Sequence, residues 1–406
     1  MILCLCFEYN CACIEHSSEI QGIAMKIGLL GHGVVGSGVA EIIDSGRSAE
    51  VKDLRVEKML VRTRQEVTEA RITTEVSEIL DDPEIEVIAE CMGGLEPAHT
   101  YVKTALEYGK SVVSSNKKML AAYYSELMEI AEKNHVMLRM EAAVGGGIPW
   151  MENLMRIRRI EPIDSFRGIF NGTTNYILSA MKEEQKEFDE MLKGAQAAGY
   201  AERNPGDDID GFDVRYKVAL TCAQAFDALV DPSDIPTFGI RNIHSEDLLH
   251  AEERNRTIKL IGWAEDHGDS VMAMVMPVFV KDSDYLSRIP CNLNGIESFS
   301  RTLGKAGFVG QGAGSLPTAH AVVQDLIDVS EGRKEVSRNL KKKTVNCRDR
   351  KGVYYIRTKQ PEVFAEVVAE KLDQNCLITE QVEWKKLEGL LNQAADPDLF
   401  LADVQA

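Results

Sequence analysis

The sequence predicts an α/β protein in three parts. A doubly wound parallel sheet comes first, then an α+β domain, then a short α+β tail. The pattern G-x-G-x-x-G, here Gly31-His32-Gly33-Val34-Val35-Gly36, lies between an apolar run and a stretch of helical periodicity. Apolar runs and helical stretches alternate from Met25 to about Met151, as in stacked βαβ units. Beyond that point the alternation stops. The parts are expected at 25–150, 151–332 and 342–406, behind a leader of residues 1–24. A chain of 406 residues is long enough for two or three domains with a large core.

Composition narrows the function classes. With 44% apolar and 27% charged residues the chain has an ordinary globular make-up. Its net charge of −18 argues against nucleic acid as a partner and against docking on an anionic membrane. No apolar run approaches the length that spans a bilayer. The leader carries Cys4, Cys6, Cys11 and Cys13, but their spacing departs from paired zinc-binding patterns, and the basic start of a signal peptide is missing. It reads as a disordered or misassigned segment, with Met25 as the natural start. Cys91, Cys222, Cys291, Cys347 and Cys376 are scattered singly, so a reducing cytoplasm is the expected compartment.

In the first domain, Met25–Leu30 is a buried strand that runs into the glycine loop. Gly31 permits the tight turn, and Gly33 lets backbone approach a pyrophosphate. Gly36 lets helix pack on strand, and the helix N-terminus at Val34 and Val35 faces the phosphates. These are the marks of a Rossmann-type, NAD(P)-binding domain. A second strand is expected at Val56–Val61. No acid stands at its end to bind a ribose 2′-hydroxyl. Arg62 stands there instead and suits a 2′-phosphate, so NADP is favoured or tolerated beside NAD. The plain alternative is that Arg62 and Arg64 are solvated.

A strand at Ile85–Glu90 delivers Cys91, Met92, Gly93 and Gly94 to the carboxyl edge of the sheet, beside the cofactor. A helix from Pro97 to Tyr108, a strand at Ser111–Ser114 and Asn116-Lys117-Lys118 follow. Lys117, just past a strand end, is expected over the same crevice, whereas Lys118 reads as solvated. A further helix and a strand at Val136–Glu141 lead into AAVGGGIP, Ala142–Pro149. This is a glycine-rich crossover with exposed carbonyls of the kind that hold a hard cation.

The second domain opens with a strand that ends in Asn171-Gly172-Thr173-Thr174-Asn175, residues that cap a helix or also line a site. An acid-rich helix at Glu183–Ala198 ends at Gly199. Thr237–Asp266 reads as polar and helical, and Met272–Lys281 as a strand of a second sheet. A second glycine cluster at 304–326, with a helix starting at Pro317-Thr318, is expected to return to the cofactor crevice.

Between these lies YAERNPGDDIDGFDVRYKVALTCAQAFD, Tyr200–Asp227. Its loop carries Glu202, Asp207, Asp208, Asp210 and Asp213. A helix from about Val214 carries Lys217 at the edge of an apolar stripe of Val214, Val218, Cys222, Ala225 and Leu229. Asp213 is one helical turn before Lys217, which brings the two side chains together. A partly desolvated lysine among carboxylates suits proton transfer. An ordinary surface ion pair reads the same way from this stretch alone.

Taken jointly, GLLGHGVVGSGV (28–39), SSNKK (114–118), EAAVGGGIP (141–149), GIFNGTTNYIL (168–178), GYAERNPGDDIDGFDVRYK (199–217) and GQGAGSLPTAHAVVQDL (310–326) resemble homoserine dehydrogenase, in order and across most of the chain. The resemblance implies reversible hydride transfer between NAD(P)H and L-aspartate 4-semialdehyde, giving L-homoserine on the way to threonine, methionine and isoleucine. It implies that Lys217 moves the proton, with Asp208 supporting it and Lys117 at cofactor and substrate. It implies that Glu202 and Asp213 hold the substrate's amino group. The cofactor would meet Gly31, Gly33, Val34, Val35, Gly36, Arg62, Met92, Gly93, Lys117, Gly199 and Gly312. A sodium ion would be held by the backbone carbonyls of Glu141, Val144, Gly146 and Ile148. The second domain would carry catalysis and dimerisation, in a homodimer or homotetramer.

Many members of that family end in a threonine-binding regulatory unit, the ACT type. Here the tail reads strand (Val353–Thr358), helix (Pro361–Leu372), strand (Cys376–Val382), helix (Trp384–Gln393), strand (Leu399–Val404). That is one strand short of the six-element unit, a degenerate version in which threonine feedback is doubtful. Two rival functions differ in what they need. A cysteine-dependent semialdehyde dehydrogenase needs a thiolate with a base beside it, at Cys91 or Cys222. A non-catalytic NADP-binding sensor needs no particular residue at position 217. Cysteine-to-serine and Lys217→Ala substitutions separate them.

Overall fold

The computed structural model describes residues 24–66, 69–333 and 338–405. The leader up to residue 23, with its cysteines, lies outside them.

The first sheet has six parallel strands: β1 (Met25–Leu30), β2 (Leu54–Leu60), β3 (Ile72–Thr73), β4 (Val87–Glu90), β5 (Ser111–Ser114) and β6 (Leu138–Arg139), in the order β3-β2-β1-β4-β5-β6. Apolar side chains fill both of its faces, which is why its central strands read as continuous apolar runs. One face packs Leu30, Ile88 and Val112 against Val102 and Leu106 of α2 (Ala98–Glu107) and Leu120 and Leu127 of α3 (Lys117–Lys133). The other packs Ile27, Leu29 and Val113 against Val39 and Ile43 of α1 (Val34–Ser45). The same cluster holds Ala319, Val322 and Leu326. These belong to a helix near the far end of the second domain, Ser315–Ser330, so the chain does return to the first sheet. The expected Rossmann-type double winding is present, but β6 is only two residues long, because Glu141–Ala143 turns away as a 3-10 helix.

The second domain starts with α4 (Trp150–Arg158), then β7 (Ser165–Ile169), α5 (Gly172–Glu184), α6 (Phe188–Ala197), α7 (Phe212–Phe226) and α8 (Ser245–Glu252). The single acid-rich helix expected at Glu183–Ala198 is two helices, broken at Gln185, whose φ is 54°. Thr237–Asp266 is also corrected. Only α8 is helical there, and Arg256–Asp266 is a long strand, β8, paired antiparallel with β9 (Ser270–Lys281). Side chains from Thr257 to Gly262 are buried in succession, so no half-buried alternation marks the strand in the sequence. The glycine cluster forms the outer strand of a hairpin, β10 (Leu293–Ser300) with β11 (Gly304–Gln311), before α9 (Ser315–Ser330). The helix α7 ends at Asp227, in a left-handed conformation, which takes Leu229 off the expected stripe.

The tail carries β12 (Tyr354–Arg357), β13 (Val368–Lys371), β14 (Cys376–Thr379), α10 (Trp384–Ala394) and β15 (Phe400–Val404). The strand missing from the sequence reading is β13. The expected helix at Pro361–Leu372 shrinks to a 3-10 turn at Pro361–Phe364, and its second half is extended. The result is a strand-helix-strand-strand-helix-strand unit with its strands in the order β15-β12-β14-β13. Its last strand pairs in parallel with β9, Val278 with Asp403 and Phe279 with Val404. The tail is thereby an extension of one ten-stranded sheet, β11-β10-β7-β8-β9-β15-β12-β14-β13, with Thr344–Val345 also on β9. Among the described residues no helix is long and apolar enough to cross a membrane.

Candidate active site

The crevice at the carboxyl ends of the first sheet is built from the glycine loop. Gly31 has φ 94°, and a side chain on Gly36 would lie 1.9 Å from the Gly31 carbonyl oxygen, so both positions demand glycine. A side chain on Gly33 or Gly93 would meet nothing within 4 Å, and both face open space. No side chain caps the N-terminus of α1, so the N–H groups at Val34, Val35 and Gly36 are available to phosphate oxygens. Ser315, at the start of α9, donates to the Val34 carbonyl at 2.6 Å and fixes the loop from the second domain. Arg62 is exposed just beyond β2. The residues present therefore fit a dinucleotide.

Gly312 is buried where the crossover meets the hairpin, and Gly147 N–H donates to the Gln311 carbonyl at 3.0 Å. A side chain on Gly146 would fall 2.5 Å from Gly312 backbone. In the same crossover, the Glu141 side chain caps α4 by accepting from Met151 N–H at 3.0 Å and Glu152 N–H at 2.7 Å. Its main-chain carbonyl accepts from Val144 N–H at 3.3 Å, and that of Ile148 from Trp150 N–H at 2.8 Å. Each of these carbonyls keeps a second lone pair, which fits the hard-cation set of Glu141, Val144, Gly146 and Ile148.

The acid-rich stretch converges on Asp213. This carboxylate is 3% exposed, in the first turn of α7, and Lys217 follows four residues later. The Lys217 ammonium lies 2.8 Å from Asp213 Oδ2 and donates to the Phe170 carbonyl at 2.6 Å. The Lys117 ammonium, from the first turn of α3, lies 2.8 Å from Asp213 Oδ1. Asn171 Nδ2 donates to Asp213 Oδ2 at 2.8 Å and to Asp208 Oδ1 at 2.7 Å. Asp208 thus reaches the lysines through Asn171 and through space. Asn171 was expected to cap a helix or also to line a site. It caps one, accepting from Thr174 N–H at 2.8 Å, and its amide also joins the two carboxylates. Lys217 is buried rather than at the edge of its stripe.

The electrostatics separate these groups. Burial raises the proton affinity of Asp213, but Lys117 and Lys217 outweigh it and hold the carboxyl well below the usual range. Burial and then the Asp213 charge push Asp208 up to about 6. Lys117 is raised, first by Asp213. Lys217 is lowered, first by burial and further by Lys117, against the pull of Asp213. Two lysines on one carboxylate are thus tuned apart, and Lys217 is the better proton donor. Asp213 has accepted three contacts of the roughly four that a carboxylate offers.

Other expected residues stand apart. Glu202 is exposed on the turn after α6, and among the described residues no hydrogen bond or ion pair joins its carboxylate to the cluster. Gly199 ends α6, ahead of the same turn. Asp210 is held by Arg241 at 2.6 and 2.7 Å, and Asp207 is exposed near Lys118 at 3.4 Å. Burial pushes the Cys91 and Cys222 thiols up, away from the thiolate that the cysteine-dependent rival needs. The sequence reading missed Glu90, a carboxylate buried at the end of β4. Its only signal is a lone acid closing an apolar strand before Cys91-Met92-Gly93-Gly94.

Comparison with known proteins agrees with this geometry. The homoserine dehydrogenase family matches residues 149–327, and the homoserine dehydrogenase NAD-binding domain matches residues 31–141. A homoserine dehydrogenase of Synechocystis is 38% identical over 318 residues, 76% of this chain and 73% of that protein. One from Bacillus subtilis is 36% identical over 315 residues, 75% and 73% of the two chains. The crystal structure of a homoserine dehydrogenase from Thiobacillus denitrificans superposes with TM-score 0.85 at 29% identity, covering 94% of this chain and 98% of that one. With the glycine loop, the crossover and the paired lysines all in place, the chain belongs to the homoserine dehydrogenase family.

Proposed function

We propose that Lys217 is the proton-transfer group of this homoserine dehydrogenase. The reaction is the reversible NAD(P)-dependent reduction of L-aspartate 4-semialdehyde to L-homoserine. When bound, the dinucleotide supplies or takes the hydride. In reduction, Lys217 gives its proton to the oxygen of the former carbonyl, and in oxidation it takes the proton from the homoserine hydroxyl. Lys117 keeps its charge and holds Asp213. The remaining acceptor site of Asp213, together with Glu202, binds the substrate's ammonium, with Glu202 free to move in from its exposed turn. The observation that carries this reading is the buried Asp213 carboxylate, 2.8 Å from both ammoniums, with Lys217 the one whose proton affinity is lowered.

Arg62 and the absence of an acid at the end of β2 support NADP ahead of NAD. A sodium ion on the Glu141, Val144, Gly146 and Ile148 carbonyls would brace the crossover between the domains. A homodimer or homotetramer in the cytoplasm is the expected form. The test follows reduced-nicotinamide absorbance with homoserine and each dinucleotide in turn. Turnover that is faster with NADP supports the reading; none with either dinucleotide overturns it. Glu202→Gln should raise the KM for homoserine about tenfold, the effect of about 1.4 kcal/mol.

A further inference from the structure

Glu90 is a carboxylate with no exposed surface and, among the described residues, no cation in contact. Burying such a group costs several kcal/mol unless its lone pairs are satisfied. Its partners show where that cost is offset. One oxygen accepts from the Ser114 hydroxyl at 2.5 Å. The other accepts from Met92 N–H at 2.8 Å and, at 3.5 Å, from Asn116 Nδ2. Ser114 Oγ in turn accepts from Asn116 N–H at 3.1 Å. Asn116 donates to the Gly94 carbonyl at 2.9 Å and accepts from Met119 N–H at 3.2 Å, so it caps the helix whose first residue is Lys117. The Glu90 main-chain carbonyl takes Ser115 N–H at 3.1 Å.

Every one of these bonds ends on a loop that faces the crevice. One loop runs from Cys91 to Gly94. The other runs from Ser114 to Lys117. The carboxylate is thus bonded to both loops at once, through Met92 N–H on one and Ser114 and Asn116 on the other. We propose that Glu90 is a positioning residue, a clamp that sets the Met92–Gly94 wall of the dinucleotide crevice and the Asn116–Lys117 turn in one register. Lys117 is then held where it meets Asp213. The inference rests on the reading of the crevice as the dinucleotide site and of Lys117–Asp213–Lys217 as the proton-transfer cluster. Burial raises the Glu90 carboxyl to about 7, against the pull of its Ser114, Met92 and Asn116 hydrogen bonds.

The experiment uses the full chain with Glu90→Gln, Glu90→Ala and Ser114→Ala. Three quantities are read: thermal midpoint, NADPH affinity by fluorescence, and kcat and KM for homoserine oxidation. The gentle variants, Glu90→Gln and Ser114→Ala, should keep the thermal midpoint near that of the parent. They should weaken NADPH binding several-fold and lower kcat about tenfold, with Glu90→Ala worse in both. Glu90→Gln, which keeps the acceptor for Met92 N–H, should retain more NADPH affinity than Glu90→Ala. If the folded Gln and Ser114→Ala variants match the parent in NADPH affinity and kcat, the clamp is refuted, even where Glu90→Ala fails to fold. NADPH affinity keeps the two readings apart. A parent enzyme that binds NADPH but does not oxidise homoserine sinks the function, while weakened binding in the variants still upholds the clamp.

Discussion

Two lysines of this chain are almost equally buried, and only one belongs to the site. Lys217 is 7% exposed and Lys259 is 3% exposed. Both have lowered proton affinity, chiefly from burial, and Lys259 is brought down to about 8. Lys259 donates only to neutral acceptors, Asn175 Oδ1 at 2.7 Å and the Ile289 carbonyl at 2.8 Å, and so ties the loop before β10 to α5. Lys217 has a carboxylate at 2.8 Å, a second lysine on that carboxylate and a second acid one amide away. Burial alone makes a tuned lysine. A buried carboxylate shared between two lysines is what supports the proposed proton-transfer role of Lys217.

Substitutions can break that contrast, beginning with the largest effect. Lys217→Met should lower homoserine oxidation by about 10²–10⁴-fold, the usual share of general acid–base catalysis, while NADPH binding stays near the parent's. Full turnover in that variant would remove Lys217 from the proton-transfer role. Asp213→Asn leaves the buried Lys217 ammonium and the half-exposed Lys117 ammonium without their countercharge. It should cost about 3–5 kcal/mol of stability in a denaturant titration as well as most of the activity. A midpoint unchanged within error would mean the three-residue cluster relaxes into solvent. Lys259→Met strands the buried Asn175 Oδ1, while the Ile289 carbonyl still accepts from Asn175 Nδ2, and should cost about 1–3 kcal/mol, with the homoserine KM intact. If activity collapsed while stability held, the division between the two lysines would be wrong.

The smallest effect sharpens the comparison. Asp208 titrates near 6 and carries negative charge above that pH, which favours the protonated form of Lys217. Homoserine oxidation needs Lys217 unprotonated and so rises with pH through the lysine's titration. Asp208→Asn removes the negative charge, and that rise should move to lower pH by under about one unit, or 1.36 kcal/mol. A pH profile of kcat/KM that superposes on the parent's would show that the Asp208 charge does not act on Lys217.

Much of this was legible because local signals and burial pointed the same way. The β1–loop–α1 unit carries its glycines for steric reasons that one residue can announce. The Asp213–Lys217 pair follows from one helical turn. Lys117 was placed over the crevice because it follows a strand end. What failed lies where a segment is buried all round. The strand β8 shows a nearly unbroken run of buried side chains from Thr257 to Ala264, so its period is invisible. The strand β13 is largely exposed at the edge of the sheet, and its single acid and lysine resemble a solvated helix. Glu90 was missed for a third reason. Its meaning lies in bonds to Ser114 and Asn116, more than twenty residues away, which no spacing rule encodes.

The parallel pairing of β15 with β9 makes the tail a splint. Ser270–Lys281 is buried along almost its whole length, and one of its edges is satisfied in pieces, by Thr344–Val345, by Pro236 and Phe238 at Val275, and by Asp403-Val404. A chain cut after Gly332 would bare that edge, a long apolar template for joining other chains. Such a truncated chain should precipitate rather than behave as a smaller enzyme. A tail that looks dispensable in the sequence thus acts as the selvedge of the catalytic sheet, the woven border that keeps it from unravelling into its neighbours.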